Sequence, residues 1–218
     1  MDLVRIVASE GIGLDVVSAG ELYAAVKAGF PVDHIWFHGN SKTHEELDMA
    51  VRYGVGRVVV DNLHELEYLD ASARAAGKRV PILFRMTPGV DSHTHSYIST
   101  GQLDSKFGIP LDRSVRDSYI GAALGMKGVE LMGFHFHVGS QLLSNESHLK
   151  AVTRLVEFMK EVRDEYGFET AEVNLGGGYG VHYHGDETTL PLSAYVDPMM
   201  SLLSDAVKAA GLDRKSVV

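Results

Sequence analysis

Apolar runs alternate with stretches of helical period along this chain, and this alternation limits its fold more than any other feature. The runs are GLDVVS, HIWFHG, RVVVDN, VPILFRMTPG, VELMGFHFHVG and AEVNLGGG. Strands that alternate with helices are joined by right-handed crossovers into a parallel sheet. The runs are apolar throughout, as expected of strands that are covered on both faces. The pattern therefore predicts an α/β fold.

Two architectures fit this pattern, an open doubly wound sheet and a (β/α)₈ barrel of the TIM type. Nearly every run ends on a polar or reactive residue or a glycine, namely Asp15, His38, Asp61, Arg85, His137 and Gly176. Barrels gather their active sites at the carboxyl ends of several strands, whereas open sheets use one switch point. The barrel is therefore favoured. About six strands are found where a barrel has eight, which predicts either missed strands or a partial barrel over residues 1–218.

Helix boundaries are marked by capping residues. Ser18 with Glu21, and Thr43 with Glu46, match the capping-box spacing at the start of two helices. The last helix, PLSAYVDPMMSLLSDAVKAAG, is expected to be interrupted at Pro198.

Composition excludes several classes of function. The formal net charge of −9 argues against a nucleic-acid surface, and the absence of cysteine removes disulfides and thiol nucleophiles. No apolar run approaches membrane-spanning length and the N-terminus has no signal-peptide pattern. We expect a soluble, cytoplasmic protein with no nucleic-acid or membrane partner.

The stretch NLGGGYG predicts a phosphate site. Gly176, Gly177 and Gly178 follow a strand, where bare backbone N–H groups can converge on an anion. Barrels commonly bind phosphate in the loops after their last strands. The alternative is a tight turn between a strand and a helix.

The stretch GFHFHVGSQ places two histidines at a strand end. A period of two puts His135 and His137 on one face and the phenylalanines on the other, so that His137 faces the site and Ser140 can donate to the phosphate. His135 is expected to be a core histidine. A His-x-His metal pair completed by Asp15, His38 or Asp61 is a second possibility.

Two further polar stretches carry histidines. DSHTHSYISTGQLDSKFGIP, with His93 and His95, is too polar for either period and is expected to be a solvated loop. VHYHGDE, from His182 to Glu187, resembles a metal cluster, but nothing in it fixes a coordination geometry. We expect no metal site.

Five motifs in order resemble the diaminopimelate decarboxylases, a branch of the fold-type III pyridoxal-phosphate decarboxylases. They are GLDVVSAGEL, HGNSK, TPGVDSHTHSYISTGQLDSKFGI, GFHFHVGSQ and NLGGGYG. The resemblance runs from about Leu3 to about Leu212. It implies an alanine racemase-like barrel that holds pyridoxal 5′-phosphate, followed by a separate β-domain, in a homodimer.

The resemblance also implies roles for individual residues. His137 would stack on the pyridine ring, and Ser140 with Gly176, Gly177 and Gly178 would hold the phosphate. Asp15 and Arg85 would lie near the imine and the ring, which makes them, with His137, the predicted catalytic residues. The implied reaction removes the carboxylate at the D-centre of meso-diaminopimelate and gives L-lysine and CO₂.

Several family features have no counterpart here. The Schiff-base lysine and the EPGR motif are not matched, and Lys27, Lys42 and Lys106 fall on a helix and in loops. We expect a partial barrel without its first and last strands and its β-domain, with little activity as an isolated chain. The alternatives are a non-catalytic, decarboxylase-like binding protein and a metal-dependent hydrolase using His135 and His137.

Overall fold

The computed structural model describes residues 1–89, 107–183 and 189–212, apart from the side chains of residues 114–116. It divides into two compact units, the first formed by Met1–Arg85 and Arg116–Met132 and the second by Met86–Val115 and Gly133–Val218. In chain order the elements are α1 (Asp2–Ser9), β1 (Leu14–Val16), α2 (Ala19–Ala28), a short 3₁₀ helix (Val32–His34), β2 (Ile35–Phe37), α3 (His44–Tyr53), β3 (Arg57–Val60), α4 (Leu63–Ala75), β4 (Val80–Thr87), β5 (Ile109–Pro110), α5 (Arg113–Gly125), β6 (Val129–His135), α6 (Glu146–Tyr166), β7 (Glu172–Asn174) and α7 (Leu192–Ala209).

The first unit is built on parallel strands in the order β1-β2-β3-β4, with β6 beside β4. Register is regular, with Asp15 opposite Trp36 in the first pair and Val59 opposite Leu83 in the third. Its core joins apolar residues of the strands to those of α2, α3 and α4: Leu22, Phe37, Leu47, Val58, Val60, Leu66, Leu69, Ile82 and Phe84. Parallel strands buried in this way confirm the α/β interpretation of the apolar runs.

The second unit contains the carboxyl end of β6, paired in parallel with β7, and β5 paired with the end of β4. Helices α6 and α7 pack on each other. Phe134 of β6 makes an edge-to-face contact with Phe158 of α6, with ring centroids 4.8 Å apart. Phe134, on the face of β6 opposite His135, therefore packs against a helix.

Two strand predictions need correction. The two-residue strand β5 was not predicted, because Ile109 and Pro110 end a polar stretch with no apolar run. Strand β6 ends at His135, so the alternation that was extended to His137 does not apply to it. His137 lies beyond the strand, where the backbone has no period of two.

The Pro198 prediction is also wrong, since α7 runs continuously through this residue. Proline has no N–H, so it leaves the carbonyl four residues earlier without its helical donor. That carbonyl belongs to Ala194, and the side-chain amide of Asn145 donates to it at 3.3 Å and to the Tyr195 carbonyl at 2.9 Å. Asn145 therefore supplies the hydrogen bond that Pro198 cannot.

The capping predictions hold fully at α3 and in part at α2. Thr43 Oγ1 accepts from the Glu46 N–H at 3.2 Å, and the Glu46 carboxylate accepts from the Thr43 N–H at 2.9 Å. At α2, Ser18 accepts from the Glu21 N–H, but the Glu21 carboxylate accepts from the N–H of Val17, one residue before the cap. The box at Ser18 is therefore only half formed.

Replacing Thr43 with alanine is expected to lower the free energy of unfolding by about 1–2 kcal/mol, because the Glu46 N–H loses its capping acceptor. Urea unfolding measures the change. Thr153→Ala is the control, since this exposed threonine lies in the interior of α6 and its hydroxyl donates to the Leu149 carbonyl of the same helix. That variant is expected to be neutral or slightly stabilised. Equal losses in both variants would contradict the capping role of Thr43.

Candidate cofactor site

A glycine bend, Gly176–Gly178, follows strand β7 in the second unit. Gly176 and Gly178 have φ of +69° and +85°, in the left-handed region that favours glycine. The Gly176 N–H donates to Asn174 Oδ1 at 2.9 Å, and the Leu142 N–H donates to the Gly178 carbonyl at 2.9 Å. The bend is therefore fixed at both ends by neighbouring backbone and side-chain groups.

His137 lies directly against this bend. The Gly177 N–H is 3.4 Å from His137 Nδ1. A Cβ at Gly176 would lie 3.2 Å from Nδ1, and a Cβ at Gly178 would lie 3.1 Å from Cε1 of the same ring. The structure thus brings together the imidazole and the three glycines, and the imidazole approaches this closely because the two flanking positions lack side chains.

The middle of the bend is open. A Cβ at Gly177 would meet no atom within 4 Å. Within the described part of the chain, the Gly178 N–H donates no hydrogen bond. Open space beside a bare backbone with an available N–H donor fits a bound phosphate group.

The other predicted residues of this region are placed as follows. His135 is buried at the end of β6, in register with Asn174, as expected of a core histidine. His137 is half-buried and Ser140 is exposed. The phosphate contact assigned to Ser140 stays a prediction.

In the first unit, Asp15 is paired with His38. His38 Nε2 lies 3.3 Å from Asp15 Oδ1, and the Asp15 side chain is 64% exposed while that of His38 is buried. Parallel pairing of β1 with β2 brings these residues together, because Asp15 lies within β1 and His38 directly follows β2. His38 was predicted as a residue at a strand end and as a ligand of the alternative metal site, and its contact with Asp15 was missed.

Arg85 is half-buried near the end of β4 and interacts with Asp61. Burial lowers the pKa of Arg85, and the charge of Asp61 partly offsets this effect. The guanidinium remains a cation at any physiological pH. A cation of this kind can hold an anionic group on a ligand, and the position of Arg85 near the imine and the ring stays a prediction.

A buried ion pair joins Lys42, in the segment between β2 and α3, to Glu65 of α4. Lys42 Nζ donates to Glu65 Oε1 at 2.6 Å and to the carbonyls of Gly39 and Val59, both at 2.7 Å. Burial lowers the pKa of Lys42 and raises the pKa of Glu65, and the contact between them opposes both effects. All three ammonium protons have acceptors, so Lys42 ties the loop after β2 to strand β3 and helix α4.

The histidine-rich stretches fall largely outside the described residues. This holds for His93 and His95 and for residues 184–187, whose predicted character is therefore not addressed by the structure. In the described ranges, no three histidine or carboxylate side chains are grouped as a metal would require. None of the helices in those ranges combines the length and the apolar character needed to cross a bilayer.

The whole of residues 1–218 matches the family model described as "Pyridoxal-dependent decarboxylase, pyridoxal binding domain". The chain belongs to this family. It is 41% identical over 207 residues to a diaminopimelate decarboxylase of Bacillus methanolicus. The aligned region covers 95% of the chain and 48% of that protein. It is 40% identical over 211 residues to the diaminopimelate decarboxylase of Bacillus subtilis, and this aligned region covers 97% of the chain and 48% of that protein.

Solved structures agree with this assignment. The crystal structure of diaminopimelate decarboxylase from M. jannaschii superposes with a TM-score of 0.89 at 32% identity, covering 99% of this chain and 49% of that one. This likeness confirms the prediction of a partial barrel domain of fold-type III. This pyridoxal-binding domain spans about half the length of the curated relatives it matches.

The family's cofactor fits the residues present. Gly177 leaves open space, Gly178 leaves an N–H donor, and the His137 imidazole lies beside both. These are the groups that would receive the phosphate and the flat ring of pyridoxal 5′-phosphate. Membership in this family favours pyridoxal chemistry over the metal-dependent hydrolysis considered from His135 and His137.

Proposed function

We propose that this domain binds pyridoxal 5′-phosphate in a decarboxylase that converts meso-diaminopimelate to L-lysine and CO₂. The observation that carries the proposal is the contact between His137 and the glycine bend, with open space at Gly177. The names of the relatives support the substrate, and one solved relative is described in co-complex with L-lysine.

The bound cofactor would supply an electron sink for the charge left when the carboxylate departs as CO₂. The protein's contribution is to bind and orient. The backbone of the glycine bend would hold the phosphate dianion through the Gly178 N–H, without the obstruction of side chains. The face of the His137 imidazole would keep the ring in one plane and exclude water from one side.

Asp15 and Arg85 are proposed to act on the charged groups of the ligand. The exposed carboxylate of Asp15, 3.3 Å from His38 Nε2, is able to accept a hydrogen bond from a cationic nitrogen. Arg85 would pair with an anionic group of the ligand, because its half-buried guanidinium stays a cation. These roles, the role of Ser140 and the homodimer stay predictions.

Gly177→Ala is expected to weaken the binding of pyridoxal 5′-phosphate about tenfold or more without loss of stability. Gly177 does not have a positive φ and a Cβ there meets no protein atom, so the fold accepts the methyl group. The methyl group would instead occupy the space assigned to the phosphate. Titration of the purified chain, followed by cofactor fluorescence, gives the affinity, and urea unfolding gives the stability.

The matched control is Gly121→Ala, at an exposed position of α5 where a Cβ also meets nothing within 4 Å. It is expected to keep the affinity for the cofactor and to gain up to about 1 kcal/mol of stability. Competition by inorganic phosphate should be strong in the parent chain and weak in Gly177→Ala. Unchanged cofactor affinity in Gly177→Ala would contradict a phosphate site at this bend.

The reaction is tested in a chimera, in which this chain replaces the matching segment of the Bacillus subtilis relative. We expect release of CO₂ from meso-diaminopimelate with an equal amount of L-lysine, and loss of both in the chimera carrying His137→Ala. Decarboxylation of ornithine or arginine instead would contradict the substrate. A folded chimera that binds the cofactor but releases no CO₂ would favour the non-catalytic binding role.

A further inference from the structure

His148 is a buried polar residue that the sequence pattern did not identify. It is the third residue of α6, and its relative exposure is 0%. Its ring stacks on Tyr179, with centroids 5.2 Å apart, and meets Tyr195 edge-on at 6.1 Å. A polar ring on the apolar face of an amphipathic helix is expected to have a hydrogen-bond partner, because burying an unpaired polar group costs free energy.

That partner is the glycine bend. His148 Nε2 lies 2.9 Å from the Gly177 carbonyl oxygen. A carbonyl only accepts, so Nε2 carries the proton. The other ring nitrogen, Nδ1, is buried and has no hydrogen-bond partner among the described residues. Burial lowers the pKa of His148, which favours the neutral ring with its single proton on Nε2.

This hydrogen bond fixes the direction of a donor on the opposite side of the peptide. In a trans peptide the C=O of one residue and the N–H of the next point in opposite directions. Holding the Gly177 carbonyl towards His148 therefore aims the Gly178 N–H away from His148. That N–H donates to no described residue, and a stretch of glycines has no side chains to hold its peptide planes.

A second hydrogen bond connects the glycine bend to residues that pack around His148. The Leu142 N–H donates to the Gly178 carbonyl, and Tyr195 Oη donates to the Leu142 carbonyl at 2.8 Å. Tyr195 also packs on His148 and on Tyr179. The two carbonyls of the bend are thus held by one packed cluster of His148, Leu142 and Tyr195, and both peptide planes are set in advance of ligand binding.

We propose that His148 is a positioning residue for the phosphate of the cofactor, acting through the Gly177–Gly178 peptide. The proposal rests on the phosphate role of the bend given under Proposed function. It predicts that His148 affects the binding of the phosphate group and leaves the binding of the ring unchanged.

Two substitutions separate the hydrogen bond from the packing. His148→Phe keeps an aromatic ring beside Tyr179 and removes the donor, while His148→Gln keeps an N–H donor near the position of Nε2. The affinity of the purified chain is measured for pyridoxal 5′-phosphate and for pyridoxal, which lacks the phosphate. His148→Phe is expected to bind pyridoxal 5′-phosphate about tenfold more weakly and pyridoxal within about twofold of the parent. His148→Gln is expected to stay within about threefold for both ligands.

The outcomes separate this inference from the proposed function. A parent chain that binds pyridoxal as tightly as pyridoxal 5′-phosphate contradicts the phosphate site, and this inference with it. A parent chain that prefers the phosphorylated ligand, with His148→Phe unchanged or weakened equally for both ligands, overturns the positioning role alone. If His148→Phe does not fold, the Gln variant decides: retained preference supports the role, and a tenfold loss overturns it. Nitrogen-15 NMR of the His148 ring adds a test without ligand, since a proton on Nδ1 instead of Nε2 would contradict the hydrogen bond.

Discussion

Lys42→Met is expected to lower the free energy of unfolding by about 3–5 kcal/mol, because it leaves a buried carboxylate without its partner. The Lys42 and Glu65 side chains are only 1% and 3% exposed. Methionine has nearly the volume of the lysine stem, so the loss comes from the uncompensated Glu65 and from the carbonyls of Gly39 and Val59. Chemical denaturation at pH 7 measures the change.

The double variant Lys42→Met, Glu65→Gln tests this explanation. Removing the charge of Glu65 as well should recover most of the loss, because a neutral amide is far cheaper to bury than a carboxylate. Lys150→Met is the matched surface control, since Lys150 pairs with Glu146 at the same 2.6 Å but both side chains are exposed. That variant should lose less than about 1 kcal/mol.

The pH dependence of these variants has a definite sign. Burial already raises the pKa of Glu65, and removal of Lys42 raises it further. A carboxyl whose pKa is higher in the folded than in the unfolded state stabilises the fold below its ordinary pKa and destabilises it as pH rises. The stability gap between the single and the double variant should therefore narrow as pH falls from 8 towards 5. A gap that is constant across this range would contradict an unpaired buried carboxylate.

Periodicity predicts most of this fold because each of these strands lies in a mainly apolar run and helices α2, α3 and α4 each begin at a capping residue. Strands β1 to β4, β6 and β7 all fall inside predicted runs, although the strands end earlier than the runs do. Strand β5 lacks any such signal, since Ile109 and Pro110 pair with β4 through tertiary contacts alone. The helix through Pro198 depends on Asn145, some fifty residues earlier, and no local pattern records that contact.

In the candidate site too, local sequence patterns predicted some residues, while contacts between residues far apart in the sequence were not predicted. His137 and the glycine bend were predicted to meet because both follow strands that were expected to be neighbours in a parallel sheet. The contacts made by His38, Lys42 and His148 were missed, since a contact with a residue far away along the chain leaves no mark on local spacing. His148 does carry one weak signal: it begins the series that continues with Ala151, Val152 and Leu155, so a polar residue stands at an apolar position of the helix.

Gly178→Ala is expected to lower the free energy of unfolding by about 3–4 kcal/mol and to abolish measurable binding of pyridoxal 5′-phosphate. Two costs add at this position. The φ of +85° is unfavourable for alanine by about 1–2 kcal/mol. The new Cβ would also overlap the Gly139 carbonyl oxygen, and this backbone group can move only by breaking the contact between the bend and the segment that follows β6.

Gly167→Ala isolates the first of these costs. Gly167 ends α6 with φ of +64°, and a Cβ there meets nothing within 4 Å. It should lose only the conformational 1–2 kcal/mol and keep the cofactor affinity of the parent chain. Equal losses for Gly167→Ala and Gly178→Ala would show that the backbone of Gly139 can move away without cost. The placement of His137 against the bend depends on the close approach of Gly178 to Gly139. Equal losses would mean that this approach does not constrain the site. A larger loss at Gly178, with the affinity lost as well, is the result that this close approach requires.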